Sequence, residues 1–280
     1  MSDKYTKLLN RLKDFKRVIV AFSGGVDSTL ALKAAIDALG TDNVLAGVAS
    51  SQLDERDISQ EILDIAKELG SQVRLIKINE LDHDNIRNYS PDSWYHSKIL
   101  LYNELNRIKE AENYCQVIDG MIMDDLKDFR PGLLARDHCG ILSVLQDAGI
   151  YKTDVRNILK ELGVSVWSKP SSCSLLSRFS YGDEITEEKL HQIRQGEQFL
   201  SEQSYPINRV RVHDNLARIE IAEDYFDQMI KNRESIERYF CQIGFTFTTI
   251  DLRPYQSGRM NENLSKEVLD KFKQEEVDND

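Results

Sequence analysis

The stretch Val18-Ile19-Val20-Ala21-Phe22-Ser23-Gly24-Gly25-Val26-Asp27-Ser28, followed by Thr29-Leu30-Ala31-Leu32-Lys33-Ala34-Ala35, decides the fold. Residues 18–22 are apolar and of strand length, whereas the apolar residues after Gly25 recur at helical spacing, which predicts a strand, a tight turn and a helix. Such a turn directs backbone N–H groups and the positive end of the helix dipole toward an anion. We therefore predict a phosphate-binding loop, with Ser23, Gly24, Gly25, Asp27 and Ser28 as its binding residues.

This loop differs from two common phosphate-binding patterns. No Lys follows the second Gly, as it does in the Walker loop, and the glycines do not follow the dinucleotide spacing G-x-G-x-x-G. The string Ser-Gly-Gly-Val-Asp-Ser at 23–28 is similar to the pyrophosphate loop of N-type ATP pyrophosphatases, which cleave ATP between its α- and β-phosphates. The alternative is a glycine-containing turn in another kind of α/β protein.

Composition and charge limit the choice of partner. The chain has 280 residues, 41% of them apolar, which is enough for one large core or two smaller ones. Its 36 Lys and Arg against 47 Asp and Glu give a net charge of −11, which argues against a nucleic-acid partner and favours a small substrate. The first 17 residues are charged and helix-periodic, and no apolar run reaches membrane-spanning length. These features predict a cytoplasmic protein without a membrane partner.

Strand-like and helix-like segments alternate in the first part of the chain. The strands are expected at 18–22, 43–49, 72–78 and 116–120. Helices between such strands predict a parallel twisted sheet with helices on both faces. Later strands at 209–213, 216–221 and 245–251 surround a predicted helix at 225–240, which indicates a smaller α+β unit. We expect the α/β domain at 1–182, the smaller domain at 183–271 and an acidic tail at 272–280.

Several short strings, taken in order, point to one known family. They lie at residues 23–28, 91–95, 119–120, 128–132, 172–174, 177–178, 209–211 and 257–261. Together they resemble the LarE family of ATP-dependent sacrificial sulfur transferases, which build the nickel-pincer nucleotide cofactor of lactate racemase. The resemblance covers almost the whole chain.

The resemblance implies a fold, a reaction and partners. The α/β domain would be adenine nucleotide alpha hydrolase-like, would use ATP and Mg²⁺, and would belong to a homo-oligomer. The substrate would be pyridinium-3,5-biscarboxylic acid mononucleotide, whose carboxylates are adenylated and then converted to thiocarboxylates. The sulfur comes from a cysteine, which is left as dehydroalanine. An upstream carboxylase and a downstream nickel insertase would be partner enzymes of the same pathway.

The cysteines are candidates for this donor. Cys115, Cys139, Cys173 and Cys241 are far apart without a C-x-x-C pair, so neither a zinc knuckle nor a disulfide framework is predicted. Cys173 lies in a serine-rich polar segment with Lys169 and Arg178 nearby, and cations favour the reactive thiolate. We predict that it is the sulfur donor; the alternative is an inert loop thiol. The other three cysteines are expected to be small core residues.

The substrate-binding residues are predicted from a strand and from the resemblance. Arg209 and Arg211 alternate on a predicted strand, so both side chains point to one face, and the family pattern assigns them the substrate phosphate. The alternative is a charge pair that keeps an edge strand soluble. Trp94 offers an aromatic face to the pyridinium ring, or else anchors its helix on the core. Ser177 and Arg178 complete the substrate-binding set.

Acidic residues are candidates for metal binding. Asp27 follows the two glycines, and a carboxylate beside a polyphosphate requires a divalent cation between them, so we expect Mg²⁺ here. The same residue would also suit the first turn of a helix. Glu197, Glu220 and Asp227 are expected to hold a second metal if the smaller domain folds over the Cys173 segment. The alternative for each is a solvated surface acid.

Two other functions fit parts of the sequence. A tRNA thiolase of the same superfamily would also adenylate and transfer sulfur, but such enzymes carry paired cysteines or a basic RNA-binding module, which this sequence lacks. A nucleotide-sensing module would bind ATP without releasing pyrophosphate. Analysis of the nucleotide products separates this third possibility from both enzymes.

Overall fold

The structure, a computed structural model, describes residues 2–55, 60–127, 129–170 and 173–271. Within these ranges the strands form two sheets. The strands are β1 (Val18–Ala21), β2 (Val44–Ser51), β3 (Gln72–Ile78), β4 (Gln116–Ile118), β5 (Asn208–His213), β6 (Leu216–Ile221) and β7 (Phe247–Ile250). The α-helices are α1 (Asp3–Leu12), α2 (Val26–Leu39), α3 (Gln60–Glu68), α4 (Asp84–Arg87), α5 (Ser93–Ala111), α6 (Pro131–His138), α7 (Val144–Asp147), α8 (Lys152–Glu161), α9 (Glu187–Glu202), α10 (Phe226–Lys231), α11 (Arg233–Gln242) and α12 (Lys266–Lys271).

The first sheet is parallel, with the strand order β3-β2-β1-β4. Side chains alternate across its faces, because successive residues of a strand point to opposite sides. Val18 and Val20 pack in a core with α1, α2, α7 and α8, whereas Ile19 packs on the other face with α5 and α6. Helices therefore cover both faces, and the predicted α/β architecture is confirmed. The carboxyl ends of β1 and β4 meet at the edge where ligands bind in such sheets.

The second sheet has the order β5-β6-β7, with β5 antiparallel and β7 parallel to β6. Its core includes Val210 and Phe240, but also Leu53, Tyr89 and Phe179 from the earlier part of the chain. The smaller unit is therefore built on residues from both sides of position 182. The domain boundary at that position stays a prediction.

Two local predictions differ from the structure. The polar residues 121–132 predict a loop after the strand at 116–120. The structure instead contains the 3₁₀ helix Met123–Lys127 and the start of α6 there, and Pro131 suits a first helical position. The helix expected at 225–240 is divided into α10 and α11 at Asn232. The predicted tail at 272–280 lies outside the described residues. Across the described ranges, every helix is too short or too polar to cross a membrane.

Candidate active site

The predicted phosphate loop connects β1 to the first turn of α2. Gly24 has a φ of +67°, in the left-handed region that glycine tolerates, and Gly25 is the N-cap of α2. The Ser23 and Ser28 hydroxyl oxygens lie 3.1 Å apart, and the Ser28 hydroxyl donates to the Gly25 carbonyl at 3.1 Å. The loop thus presents a helix N-terminus and two hydroxyls on one side, the arrangement that binds phosphate.

The end of β4 supports this loop from beside it. A Cβ atom on Gly120 would lie 2.7 Å from the Ser28 backbone nitrogen, so only glycine fits between β4 and α2. The neighbouring Asp119 is buried and accepts hydrogen bonds from the Tyr102 hydroxyl at 2.9 Å and the Ser143 hydroxyl at 2.7 Å. Burial raises the pKa of Asp119, and these donors oppose that rise. Asp119 therefore fixes the strand end on which the loop rests.

Asp27 lies in the first turn of α2 and pairs with a distant lysine. Its Oδ2 atom is 2.6 Å from Lys152 Nζ, whereas its buried Oδ1 atom has no hydrogen-bond partner among the described residues. Burial raises the pKa of Asp27, and Lys152 only partly offsets that effect. Arg130, paired with Asp125 at 2.9 Å, adds a second cation to these surroundings. An uncompensated carboxylate oxygen beside a phosphate loop fits a divalent cation.

The segment that carries Cys173 touches both the phosphate loop and the smaller sheet. Lys169 Nζ donates to the Gly24 carbonyl at 3.2 Å and pairs with Glu61 of α3 at 3.0 Å. Cys173 itself is exposed, and residues 171–172 lie outside the described ranges. Its backbone N–H donates to Glu55 Oε1 at 3.4 Å.

Glu55 brings the predicted sulfur donor and the substrate-binding arginines together. The same Oε1 atom accepts from Arg178 Nη2 at 2.5 Å and lies 3.9 Å from Arg209 Nη2. Arg178 is fully buried and also pairs with Glu197 at 2.8 Å. Burial would lower the pKa of Arg178, but Glu197, Glu55 and the nearby Cys173 together raise it. A permanent cation is therefore fixed close to the thiol.

Arg209 and Arg211 share one face of β5, as their spacing predicts, but they differ in their partners. The Arg211 side chain is 4% exposed and donates to the Ser177 carbonyl and to Glu220, both at 2.6 Å. The Arg209 side chain is 16% exposed, and its guanidinium lies 5.1 Å from the centre of the Tyr255 ring. Arg209 is thus the member of the pair that a phosphate can reach.

Trp94 and Ser177 also lie near this group. Trp94 is partly buried and packs on the second core, beside the Tyr89 and Tyr181 rings, which stack at 4.5 Å. The Ser177 hydroxyl accepts from Arg178 Nη1 at 2.7 Å. Trp94 thus packs on the second core while part of its surface stays accessible to solvent.

The structure does not bring the three other predicted metal ligands together. Glu197 is engaged by Arg178 and by the Val210 N–H, and Glu220 is fully buried between Arg211 and Arg218. Asp227 is exposed on α10. In the described part of the chain, no group of three or more His, Cys, Asp or Glu side chains is arranged to hold a metal ion. Arginine side chains, rather than a metal ion, neutralise Glu197 and Glu220 here.

Exposure does not distinguish Cys173 from the other cysteines. Cys115 and Cys241 are also exposed and Cys139 is half-buried, so the prediction of three core cysteines is wrong. Apolar sequence neighbours do not bury a residue at the end of an element. Cys173 is distinguished instead by Arg178 and the Glu55 carboxylate beside it.

Sequence reasoning missed Glu55 and Lys152, which contact predicted site residues. Lys152 pairs with Asp27 across 125 positions, and Glu55 contacts Cys173 across 118. Neither residue lies in a recognisable motif, and no periodic pattern reports contacts over such distances. Only the assembled fold reveals them.

The sequence of this chain is similar to those of several known proteins. Residues 4–119 match the NAD synthase family. A pyridinium-3,5-bisthiocarboxylic acid mononucleotide synthase of Lactiplantibacillus plantarum is 42% identical over 272 residues, which cover 97% of this chain and 99% of that protein. An uncharacterized protein of Synechocystis sp. is 36% identical over 95% of this chain and 100% of its own length. An NH₃-dependent NAD⁺ synthetase of Pyrobaculum aerophilum is 28% identical over 55% of this chain and 60% of its own length.

Proposed function

Because this chain belongs to the family of pyridinium-3,5-bisthiocarboxylic acid mononucleotide synthases, we propose that it makes this thiocarboxylate nucleotide for nickel-pincer cofactor biosynthesis. It is an ATP-dependent sulfur transferase that acts on pyridinium-3,5-biscarboxylic acid mononucleotide. The observation that carries the proposal is the contact of Glu55 with the Cys173 backbone N–H, Arg178 and Arg209, which places the predicted sulfur donor beside two arginines that can bind an anion.

The phosphate loop performs the first step. Ser23, Gly24, Gly25 and Ser28 bind the triphosphate through backbone N–H groups and hydroxyls. A substrate carboxylate attacks the α-phosphorus, which gives an acyl-adenylate and pyrophosphate. The match of residues 4–119 to the NAD synthase family, whose members use ATP, supports this cosubstrate. Asp27 would hold Mg²⁺, since its Oδ1 atom is uncompensated, and the cation would neutralise phosphate charge.

Cys173 performs the second step. Its thiolate attacks the acyl carbon and expels AMP, which leaves a thioester. The Cβ–S bond then breaks as the Cα proton passes to a base, and the sulfur departs with the bonding electrons as a thiocarboxylate. Residue 173 becomes dehydroalanine. The buried guanidinium of Arg178 stabilises negative charge beside the thiol.

Three further side chains position the substrate. Arg209 binds its phosphate, with Arg211 fixing the strand behind it through Ser177 and Glu220. Trp94 stacks on the pyridinium ring, a contact that contributes about 0.5–2 kcal/mol. The proposed mechanism has no second metal ion at Glu197, Glu220 and Asp227, because arginines already pair with the two glutamates.

The same proposal covers compartment and partners. We place the protein in the cytoplasm as a homo-oligomer. An upstream carboxylase supplies the biscarboxylate substrate, and a downstream nickel insertase consumes the thiocarboxylate product. The overall charge of −11 suits small-molecule exchange better than nucleic-acid binding.

A product assay with matched cysteine variants tests the function. Wild-type protein, Cys173→Ala and Cys241→Ala are each given ATP, Mg²⁺ and the biscarboxylate mononucleotide without sulfide or thiol. Cys241 is the control because it is also exposed but belongs to α11. All three proteins should release pyrophosphate, and only wild type and Cys241→Ala should yield thiolated nucleotide. ADP as the main nucleotide product, or thiolated product from Cys173→Ala, would contradict the proposal.

A further inference from the structure

Lys152 is the first residue of α8, and its side chain crosses to the phosphate loop. The Nζ atom lies 2.6 Å from Asp27 Oδ2, and the two side chains are 32% and 26% exposed. This is neither a buried pair nor a fully solvated one. A small anion can therefore reach the ammonium group without disrupting the core.

The start of α8 is fixed, so the lysine stem has a defined origin. The Lys152 backbone N–H donates to Asp124 at 2.8 Å, and the Tyr151 N–H donates to Asp154 at 2.9 Å. One turn later, Arg156 donates to the Trp167 carbonyl at 2.5 Å and the Lys169 carbonyl at 3.1 Å. The same helix thus contacts the phosphate loop and the segment that leads to Cys173.

The charges around Asp27 explain why a mobile cation is useful there. A carboxylate in the first turn of α2 repels an incoming triphosphate unless a cation compensates it. Lys152 supplies this compensation at Asp27 Oδ2, while the other oxygen of the same carboxylate, Oδ1, has no hydrogen bond within the described ranges. A lysine ammonium is a point charge on a flexible stem, so it can exchange one oxygen anion for another.

We propose that Lys152 is a phosphate-binding residue that holds Asp27 in the nucleotide-free protein and transfers to the phosphates of ATP when the nucleotide binds. The inference rests on the proposed function for the identity of the nucleotide. The exchange frees the Asp27 carboxylate for a divalent cation at the moment when phosphate oxygens arrive to complete its ligands. Lys152 and the metal ion therefore compete for Asp27 in the nucleotide-free protein.

The test uses variants of two lysines on α8. Lys152→Met removes the charge and keeps the stem, Lys152→Arg keeps the charge, and Lys160→Met is the control, since the Lys160 ammonium lies 4.9 Å from the Trp167 ring centre. Affinity for Mg²⁺ and α,β-methylene-ATP, which resists cleavage at that bond, is measured by calorimetry. Affinity for Mn²⁺ alone is measured by electron paramagnetic resonance, and circular dichroism verifies the fold.

We expect opposite shifts for the two ligands. Lys152→Met should bind the ATP analogue about tenfold or more weakly, the loss expected for one charge-assisted hydrogen bond. It should bind Mn²⁺ several-fold more tightly, because Asp27 has lost its competing partner. Lys152→Arg should retain most analogue affinity, and Lys160→Met should change neither value.

The outcomes separate this inference from the proposed function. Wild-type protein that fails to bind the analogue would overturn both. Normal analogue binding by wild type and Lys152→Met alike would overturn the inference alone and reduce the pair to a structural ion pair. If Lys152→Met does not fold, Lys152→Gln replaces it. A Lys152 variant that loses affinity for both the analogue and Mn²⁺ would also contradict the exchange.

Discussion

Arg209 and Arg211 lie side by side on β5 but have different electrostatic surroundings. Arg211 is almost fully buried and is held by Glu220 and the Ser177 carbonyl, so its guanidinium is already committed to the protein. Arg209 is more exposed, and its Nη2 atom lies 3.9 Å from Glu55 Oε1, which is a long contact. We therefore expect recognition of the substrate phosphate to depend directly on Arg209 and indirectly on Arg211.

Replacement of each arginine should separate binding from stability. Arg209→Ala should raise the dissociation constant of the substrate about tenfold or more with little change in melting temperature, because it removes a charge-assisted bond of about 1.5–3 kcal/mol. Arg211→Ala should lower the free energy of unfolding by about 3 kcal/mol, which is near the lower end of the cost of breaking a buried ion pair. The cost is at the lower end because Glu220 keeps its pairing with Arg218. Calorimetric titration and urea unfolding measure the two effects. Unchanged substrate binding by Arg209→Ala would contradict the phosphate-binding role and favour the alternative, in which the charge of Arg209 keeps the strand soluble.

The contact between β4 and α2 depends on the absence of a side chain at Gly120. Gly120→Ala would place a Cβ atom 2.7 Å from the Ser28 backbone nitrogen, and backbone cannot swing away as a side chain can. We expect a loss of about 1–3 kcal/mol in the free energy of unfolding, together with weaker ATP binding as the helix start is displaced. Thermal unfolding and nucleotide titration test both effects.

Gly132→Ala is the matched control for this change. Its Cβ atom would lie 3.2 Å from Cγ of the Lys98 side chain, a side-chain rather than a backbone neighbour, and Ala suits the first turn of α6. Its stability should remain within about 1 kcal/mol of wild type. Equal stability and ATP affinity in Gly120→Ala and wild type would show that the two elements are not in close contact.

An ion network around Asp251 joins β6 to the segment after β7. Asp251 accepts hydrogen bonds from Arg259 and the Arg253 N–H, both at 2.9 Å, and pairs with Arg218. Burial raises the pKa of Asp251, but these donors outweigh it and lower the pKa from 3.8 to about 2. Because the pKa in the folded protein is depressed, the ionised carboxylate stabilises the fold above pH 3.8, and this contribution is lost as the pH falls toward 2.

Asp251→Asn should therefore be destabilising in a pH-dependent way. At about pH 7 the variant should lose about 1.5–3 kcal/mol in the free energy of unfolding, the worth of a hydrogen bond to a charged group. The difference from wild type should narrow as the pH is lowered from about 4 to about 2. Urea unfolding over this pH range measures the difference in the free energy of unfolding. Asp224→Asn is the control, because Asp224 is exposed. A difference that is constant with pH would show that the charge of Asp251 does not contribute.

At the scale of the whole molecule, three separate parts of the chain meet at the site. Lys169 connects the Cys173 segment to the phosphate loop through the Gly24 carbonyl, and Glu55 connects it to β5 through Arg209. In the proposed mechanism, adenylation and sulfur transfer are therefore carried out by neighbouring groups. The second core, which contains Leu53 as well as residues of the smaller unit, fixes this arrangement.

The sequence predicts the parts of this molecule that follow local rules. The parallel sheet follows from apolar runs such as Val18–Ala21, and the shared face of Arg209 and Arg211 follows from strand alternation. The pairing of Asp27 with Lys152 does not follow, because it depends on how α8 packs beside α2. Burial is equally a property of the assembled fold, which is why the apolar neighbours of Cys115 did not predict its exposure.

The central claim is that the protein gives up its own sulfur, and peptide mass mapping after a single turnover tests it most directly. The protein is incubated with ATP and the biscarboxylate mononucleotide, without sulfide or thiol, and then digested. The peptide with residue 173 should be lighter by about 34 Da, the loss of H₂S that leaves dehydroalanine after nucleophilic attack and elimination. Peptides with Cys115, Cys139 and Cys241 should keep their masses. An unmodified Cys173 peptide beside a stoichiometric amount of thiolated product would contradict the account.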